Sequence, residues 1–143
     1  MAKKPTYEVL VLRVKQLEEE TIKRRHTEKD YQQTLALLQS AEEIGMSGCW
    51  SQDLQSGREE WSQGEYNLHG LSLDVSPSYE LHLQCVHPED RERHAKFFEE
   101  HLASDRTHFS QEYRIQTQDG TIRHIQADYQ IVRDGDGRPL SAS

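Results

Sequence analysis

From Tyr7 to Ile44 the chain has neither glycine nor proline, and Glu, Lys, Arg, Gln and Leu fill most positions. Such a stretch is helical by propensity and contains no breaker. The spacing predicts one helix over residues 7–42, about 54 Å long at 1.5 Å per residue. Steps of three and four pick out Tyr7, Leu10, Val14, Leu17, Thr21, Arg24, Glu28, Tyr31, Leu35 and Leu38. That is a heptad seam, apolar at both ends and polar in the middle. A helix of this length cannot cover its stripe against a small domain alone. A parallel partner helix covers it most simply, with Leu10, Val14, Leu17, Tyr31, Leu35 and Leu38 at the interface of a homodimer. The polar centre keeps a single solvated helix open as the alternative. Thr21, Arg24 and Glu28 then form a weak segment that lets paired helices move.

Composition divides the chain at the same place. Hydrophobic residues make up 34% and charged residues 29%, a polar balance for a globular protein. The polarity concentrates before Ile44; the aromatic and branched residues after it suffice for a small core. Residues 1–43 are expected to be a helical segment and residues 44–143 a domain. The net charge of -8 argues against a phosphate-binding surface, which needs clustered Lys and Arg. The run Lys23-Arg24-Arg25 is flanked by acidic residues, so no nucleic-acid partner is expected. No segment approaches the ~20 apolar residues that span a bilayer, and the first residues lack the apolar run of a signal peptide. The expectation is a cytoplasmic chain without a membrane segment, with Cys49 and Cys85 as two small, reduced, buried thiols.

After Gly45 and Gly48, GCWSQDL and REEWSQ read as two short strands around a turn at Gln55-Ser56-Gly57, anchored by Trp50 and Trp61. Short helices are expected near 65–69 and 78–85. In HPEDRERHAKFFEEHL, Pro88 suits a first helical position and Glu89 and Asp90 suit the first turn. That helix should run from about Pro88 to Ser104, capped with help from His87, with Ala95, Phe98 and Leu102 on its buried face. His94 and His101 fall together on the flank, half-exposed beside Phe97. HFSQEYRIQTQ and IRHIQADYQIVRD alternate, placing Phe109, Tyr113 and Ile115, and Ile125, Ala127, Tyr129 and Ile131, on one side of each strand. Asp119-Gly120 between them signals a two-residue hairpin.

Taken in order, Gly48, Trp50, Asp53, Trp61-Ser62, Gly70, His87-Pro88-Glu89-Asp90-Arg91, Glu112-Tyr113-Arg114-Ile115, Asp119-Gly120, Arg123, Arg133-Asp134 and Asp136-Gly137-Arg138-Pro139 resemble the PAS domain over roughly residues 41–140. The similarity is to the variety common in bacterial sensor histidine kinases and diguanylate cyclases, where a long signalling helix often precedes the domain. It implies an α+β fold: an antiparallel sheet flanked by short helices. Two departures stand out. His124 occupies a position that often carries an aromatic residue. The family's fifth strand, in the middle of the sheet, has only Leu140 to Ser143 to draw on, so the strand is expected to be truncated and the chain an excerpt of a longer protein.

The resemblance implies a sensory and dimerisation module with no catalysis of its own. A change of packing driven by a ligand or partner would pass through the paired helices to an output domain of the parent protein. With the apolar patterning, it points to Trp50, Tyr66, Leu81, Phe98, Tyr113, Ile125 and Tyr129 as the lining of a ligand cavity. No cofactor or metal is expected. The alternatives are a haem sensor using His94 or His101 as axial ligand, a flavin sensor, and a pure interaction module without ligand. Leu83-Gln84-Cys85-Val86-His87 does not match the Asn-Cys-Arg-Phe-Leu-Gln run of the light-sensing LOV group. His82, Cys85 and His87 resemble a metal cluster in one dimension but read better as a core cysteine beside two surface histidines. Asp134-Gly135-Asp136-Gly137 lacks the ligands of a calcium loop and reads as a turn. His26 reads as a solvated position of the helix.

Overall fold

The computed structural model describes residues 4–143, and its contacts separate two units, divided after Ala41. The first is dominated by helix α1, Tyr7–Gly45. Its threonines at positions 21, 27 and 34 donate their hydroxyls to carbonyls one turn back. Leu10, Val14, Leu17, Tyr31, Leu35 and Leu38 are each between 44% and 68% exposed, so the seam lies open along the helix.

The second unit, Glu42–Ser143, holds the remaining elements: β1 (Trp50–Asp53), β2 (Glu59–Trp61), α2 (Gln63–His69), α3 (Tyr79–Cys85), α4 (Pro88–Ala103), β3 (His108–Gln116), β4 (Ile122–Arg133) and β5 (Pro139–Ala142). The five strands form one sheet of order β2-β1-β5-β4-β3, antiparallel throughout. The expectation of a shortened fifth strand meets a four-residue β5 at the centre. It pairs with β1 through Gln52–Ala142 and Asp53–Ser141 and with β4 through Ile131–Ala142 and Val132–Ser141. Ser143 and Gln130 exchange two further backbone bonds of 2.8 and 3.0 Å. β1 and β4 thus keep their shared neighbour, and its short length suffices because β1 is equally short.

Alternation along β3 buries Phe109, Gln111, Tyr113 and Ile115; along β4 it buries Ala127, Tyr129 and Ile131. These side chains meet Val86 and Phe98 to form the core. The hairpin differs from the two-residue turn expected. Thr117 N–H donates to the Thr121 carbonyl at 2.9 Å, and Gly120, at φ 86°, closes a three-residue loop. The Asp119 carboxylate accepts both the Thr117 hydroxyl and the Thr121 N–H, which stabilises the longer loop with glycine in the left-handed region. Cys49, expected buried, is exposed, whereas Cys85 is buried: Cys49 directly precedes β1, outside the core face.

Three arginines join sheet to helices. On β4, Arg123 donates to the Asn67 and Leu68 carbonyls at the end of α2. Arg133 donates to the Leu102 and His101 carbonyls at the end of α4. Each thereby satisfies last-turn carbonyls and complements the negative end of the helix dipole. On β3, Arg114 grips Asp90 in the first turn of α4 through both carboxylate oxygens, at 2.9 and 3.0 Å, and its backbone N–H joins at 2.9 Å. The opposite end of the dipole favours that carboxylate. Asp90→Ala should lower the unfolding free energy by about 2 kcal/mol, read as a drop in the urea midpoint. Arg114 holds the Asp90 carboxyl well below the usual range, so its contribution is present above about pH 4 and is lost as the pH falls through the depressed folded value. Acid destabilisation below about pH 4 should therefore be shallower in Asp90→Ala than in wild type.

Candidate functional site

The helices meet the sheet at a small cavity. Its walls are Trp50 and Gln52 of β1, Glu59 of β2, Glu65 of α2, Tyr79 and His82 of α3, His94 and Phe98 of α4, and Tyr129 of β4. Four aromatic rings make the apolar part. Trp50 meets Tyr129 edge-on at 5.6 Å and Phe98 at 6.4 Å, and Phe98 lies 5.3 Å from Tyr79. The free space is about 20 Å³, room for about one water.

The polar part is a file of imidazoles. His69 Nδ1 is 2.8 Å from the Glu65 carbonyl, one helical turn back. His69 Nε2 is 2.9 Å from His82 Nδ1, and His82 Nε2 is 2.9 Å from His94 Nε2. The Tyr113 ring backs His82 and His94, with centroids 5.7 and 4.1 Å away. Local spacing explains the convergence. His69 follows Glu65 by four residues, His82 follows Tyr79 by three, and His94 precedes Phe98 by four, so each imidazole shares a helix face with another buried group. Burial pushes His94 down to about 4, His82 well below the ordinary range and His69 lower as well. Burial, reinforced by Glu59 and Glu42, pushes the Glu65 carboxyl up to about 7. Glu59 Oε2, Tyr79 OH, His94 Nδ1 and Gln111 Oε1 are buried without a hydrogen-bond partner.

Of the residues expected to line a cavity, the structure brings Trp50, Phe98 and Tyr129 together, with Tyr113 behind the histidines. The others lie elsewhere. Tyr66 packs edge-on against Trp61 and donates its hydroxyl to the Val75 carbonyl. Leu81 lines a separate surface hollow with Cys85 and Thr117, and Ile125 packs against the core. Sequence reasoning missed Gln52, Glu59, Glu65, Tyr79 and His82 as wall residues. It also set His94 on a half-exposed flank, yet this is among the most buried side chains, at 1% exposure. The buried face of α4 is wider than the Ala95–Phe98–Leu102 stripe because His82 supplies a polar partner. His82 is likewise not a surface histidine. The (i, i+4) spacing to Phe98 was the available signal for His94.

The haem and metal alternatives meet a different geometry. Both His82 nitrogens and His94 Nε2 are engaged with other rings, and His101 Nδ1 donates to the Phe97 carbonyl. A planar cofactor does not fit the cavity unless its aromatic walls move. His87 Nδ1 caps α4 by accepting the Glu89 N–H. Among the described residues no group of three or more His, Cys, Asp or Glu side chains is arranged to hold a metal ion. Asp134 accepts the Asp136 and Arg138 N–H groups as a turn residue, and His26 faces Asp30 at 3.5 Å on the exposed helix.

A five-stranded antiparallel sheet with its last strand at the centre, and helices closing a small cavity, defines a sensory fold of the PAS class. The PAS fold family matches residues 58–143, and the chain belongs to that family. It is 33% identical over 103 residues to the probable diguanylate cyclase DgcE of Escherichia coli K12, covering 72% of this chain and 9% of that protein. The chain thus spans 9% of the length of the curated relative it matches. A sensory box histidine kinase/response regulator from Burkholderia thailandensis E264 superposes with a TM-score of 0.59 at 25% identity, over 73% of this chain and 78% of that one. The N-terminal domain of a diguanylate cyclase with PAS/PAC sensor from Marinobacter aquaeolei shares the fold, with a TM-score of 0.59 at 23% identity over 65% and 85% of the two chains. No helix among the described residues is long and apolar enough to cross a membrane.

Glu65 makes the cavity wall testable by pH. Its folded pKa lies above its unfolded one, so between the two values the native chain holds a proton that the unfolded chain has lost. Native stability from this group therefore falls as the pH rises from 4.5 to about 7. Glu65→Gln should gain on wild type across that window, by on the order of 2 kcal/mol at about pH 8, in paired urea titrations. Identical pH slopes would contradict a buried, ionisable Glu65.

Proposed function

We propose that the chain is a sensing and pairing module of a signalling protein. Residues 44–143 would form the sensor and residues 1–43 the signalling helix. The cavity wall reads a small ligand or a change of packing, and two copies of α1, paired in parallel, carry the result to an output domain outside this chain. A diguanylate cyclase or histidine kinase is the output its relatives suggest, working in the cytoplasm.

One joint carries this reading. Glu42, in the last turn of α1, is buried, and its carboxylate accepts the Ser62 hydroxyl. Ser62 caps α2 by accepting the Glu65 N–H, and it also accepts the Cys49 N–H at 2.9 Å. Glu65 in turn lines the cavity and accepts His69. A methyl group on Gly64 would come within 2.2 Å of the Ser47 carbonyl, and one on Gly48 within 2.4 Å of the Glu65 nitrogen. The joint is therefore packed too closely to move without its neighbours. A shift of α2 at the cavity reaches the end of the long helix through these contacts. The open seam supports pairing, because Leu10, Val14, Leu17, Leu35 and Leu38 gain cover only from another surface.

Pairing is tested by sedimentation over a concentration series. Wild type should dimerise, and Leu17→Lys with Leu35→Lys should leave a folded monomer. Replacing Thr21, Arg24 and Glu28 with Leu should tighten the dimer at least about tenfold and mute signalling in a full-length parent. A wild-type monomer at high concentration, or a dimer indifferent to these changes, contradicts the pairing. Glu42→Ala should cost about 1 kcal/mol. It should also uncouple ligand-induced change in the domain from any change in helix pairing, followed by spin-label distances along α1. Unaltered coupling in that variant contradicts the joint.

A further inference from the structure

The open seam of α1 is edged by charges whose order follows the heptad. Tyr7, Val14, Thr21, Glu28 and Leu35 recur every seven residues, and so do Leu10, Leu17, Arg24, Tyr31 and Leu38. The position before each member of the first set, and the position after each member of the second, lie along the edges of a paired helix. Arg13, Glu20, Thr27 and Thr34 stand on one edge; Val11, Glu18, Arg25, Gln32 and Gln39 stand on the other. Arg13, Glu18, Glu20 and Arg25 are all exposed. Among the described residues none of the four joins an ion pair within its own chain.

Two parallel copies in equal register bring each residue of the first edge against the partner residue five further along. Arg13 then meets the partner's Glu18, and Glu20 meets the partner's Arg25. Symmetry doubles both contacts, so every charged rung is attractive. A slide of one heptad reverses this. Arg13 would meet the partner's Arg25, and Glu18 would meet the partner's Glu20, with no attractive rung left. The same slide sets Leu17 against the partner's Arg24 and Glu28 against the partner's Leu35. An antiparallel pair of full overlap sets Leu17 against the partner's Glu28. Equal register keeps leucine on leucine and leaves the polar seam residues facing their own copies. There each Arg24 has Glu20 one turn before it and Glu28 one turn after it on its own helix, which balances its charge.

We propose that Arg13, Glu18, Glu20 and Arg25 form a register code, which selects a second copy of this chain in parallel and forbids a slide by one heptad. The inference rests on the pairing proposed above and narrows how that pair carries a signal. Charge holds the edges of the first half of α1. The second half, edged by Thr27, Gln32, Thr34 and Gln39, has no charged rung. Rotation or parting of the helices in that half leaves the code intact, whereas sliding breaks it. Discrimination of this kind comes from the repulsive alternatives as much as from the attractive pairs.

Two double variants of the full chain test the code by sedimentation. Arg13→Glu with Arg25→Glu makes every charged rung acidic, and Glu18→Arg with Glu20→Arg makes every one basic. Each alone should pair at least about tenfold more weakly than wild type, and an equimolar mixture should restore wild-type affinity. That recovery also shows that both variants are intact. Variants that pair as tightly as wild type, or a mixture that pairs no better than its parts, overturn the code and leave the pairing itself standing. Register is read by disulfide formation in a Cys49→Ser background. Val14→Cys chains should link to one another, and mixed with Thr21→Cys chains they should give no link between positions 14 and 21. Adding Glu18→Gln and Arg25→Gln removes the attractive rungs and the repulsion of a slide together, and should let that link appear. A link between positions 14 and 21 with all four charges present overturns the proposal, as does a neutralised pair that never slides. A wild-type monomer at high concentration removes the pairing and the code together.

Discussion

Buried imidazoles must be hydrogen-bonded, and in this small core they have mainly one another. α2, α3 and α4 each contribute one histidine, and the two 2.9 Å junctions between rings fix how closely the three helices approach. Leaving a buried polar group without a partner costs about 1–3 kcal/mol. Removing one ring therefore exposes the next to that cost. The aromatic wall of Trp50, Tyr79, Phe98 and Tyr129 packs around the file. Burial, in turn, lowers the pKa values of the imidazoles and raises that of the Glu65 carboxyl. The cavity is small because these groups fill it.

The same helices are held from outside by charge. Arg114 reads the start of α4, while Arg123 and Arg133 close the ends of α2 and α4. All three stand on β3 or β4, the two longest strands of the sheet. β5 completes that sheet with only a few residues of pairing on each side. Next to the wall residue Glu65, Ser62 accepts the Glu65 N–H and donates its hydroxyl to the Glu42 carboxylate. One serine thus links a residue of the cavity wall to a residue in the last turn of the long helix, which gives the sensing account its mechanical content.

The fold was largely legible in the chain. Long uninterrupted helical propensity, period-two alternation in β3 and β4, and the His87-Pro88-Glu89-Asp90 start of α4 each carry a local signal. The ordered fragments from Gly48 to Pro139 carried the family resemblance. The site was legible only in its apolar part. Trp50, Phe98 and Tyr129 follow from the rule that large aromatics on a core face are buried. His82 and His94 break that rule, and their hydrogen bond to each other accounts for their burial; Glu65 is buried beside His69, whose ring bonds the Glu65 backbone carbonyl. His82 and His94 are far apart along the chain, so no local window reveals the pair. Turn length was also hidden, because the Asp119 side chain, rather than the Asp-Gly pair alone, decides the loop between β3 and β4.

The central claim is that His69, His82 and His94 are joined ring to ring inside the core. It is tested most directly by nitrogen–nitrogen scalar coupling across hydrogen bonds, measured on the chain labelled at both imidazole nitrogens. The account predicts two such couplings, His69 Nε2 to His82 Nδ1 and His82 Nε2 to His94 Nε2, with ring protons that exchange slowly with solvent. Absence of both couplings in a folded chain, with ring protons exchanging freely, would contradict it.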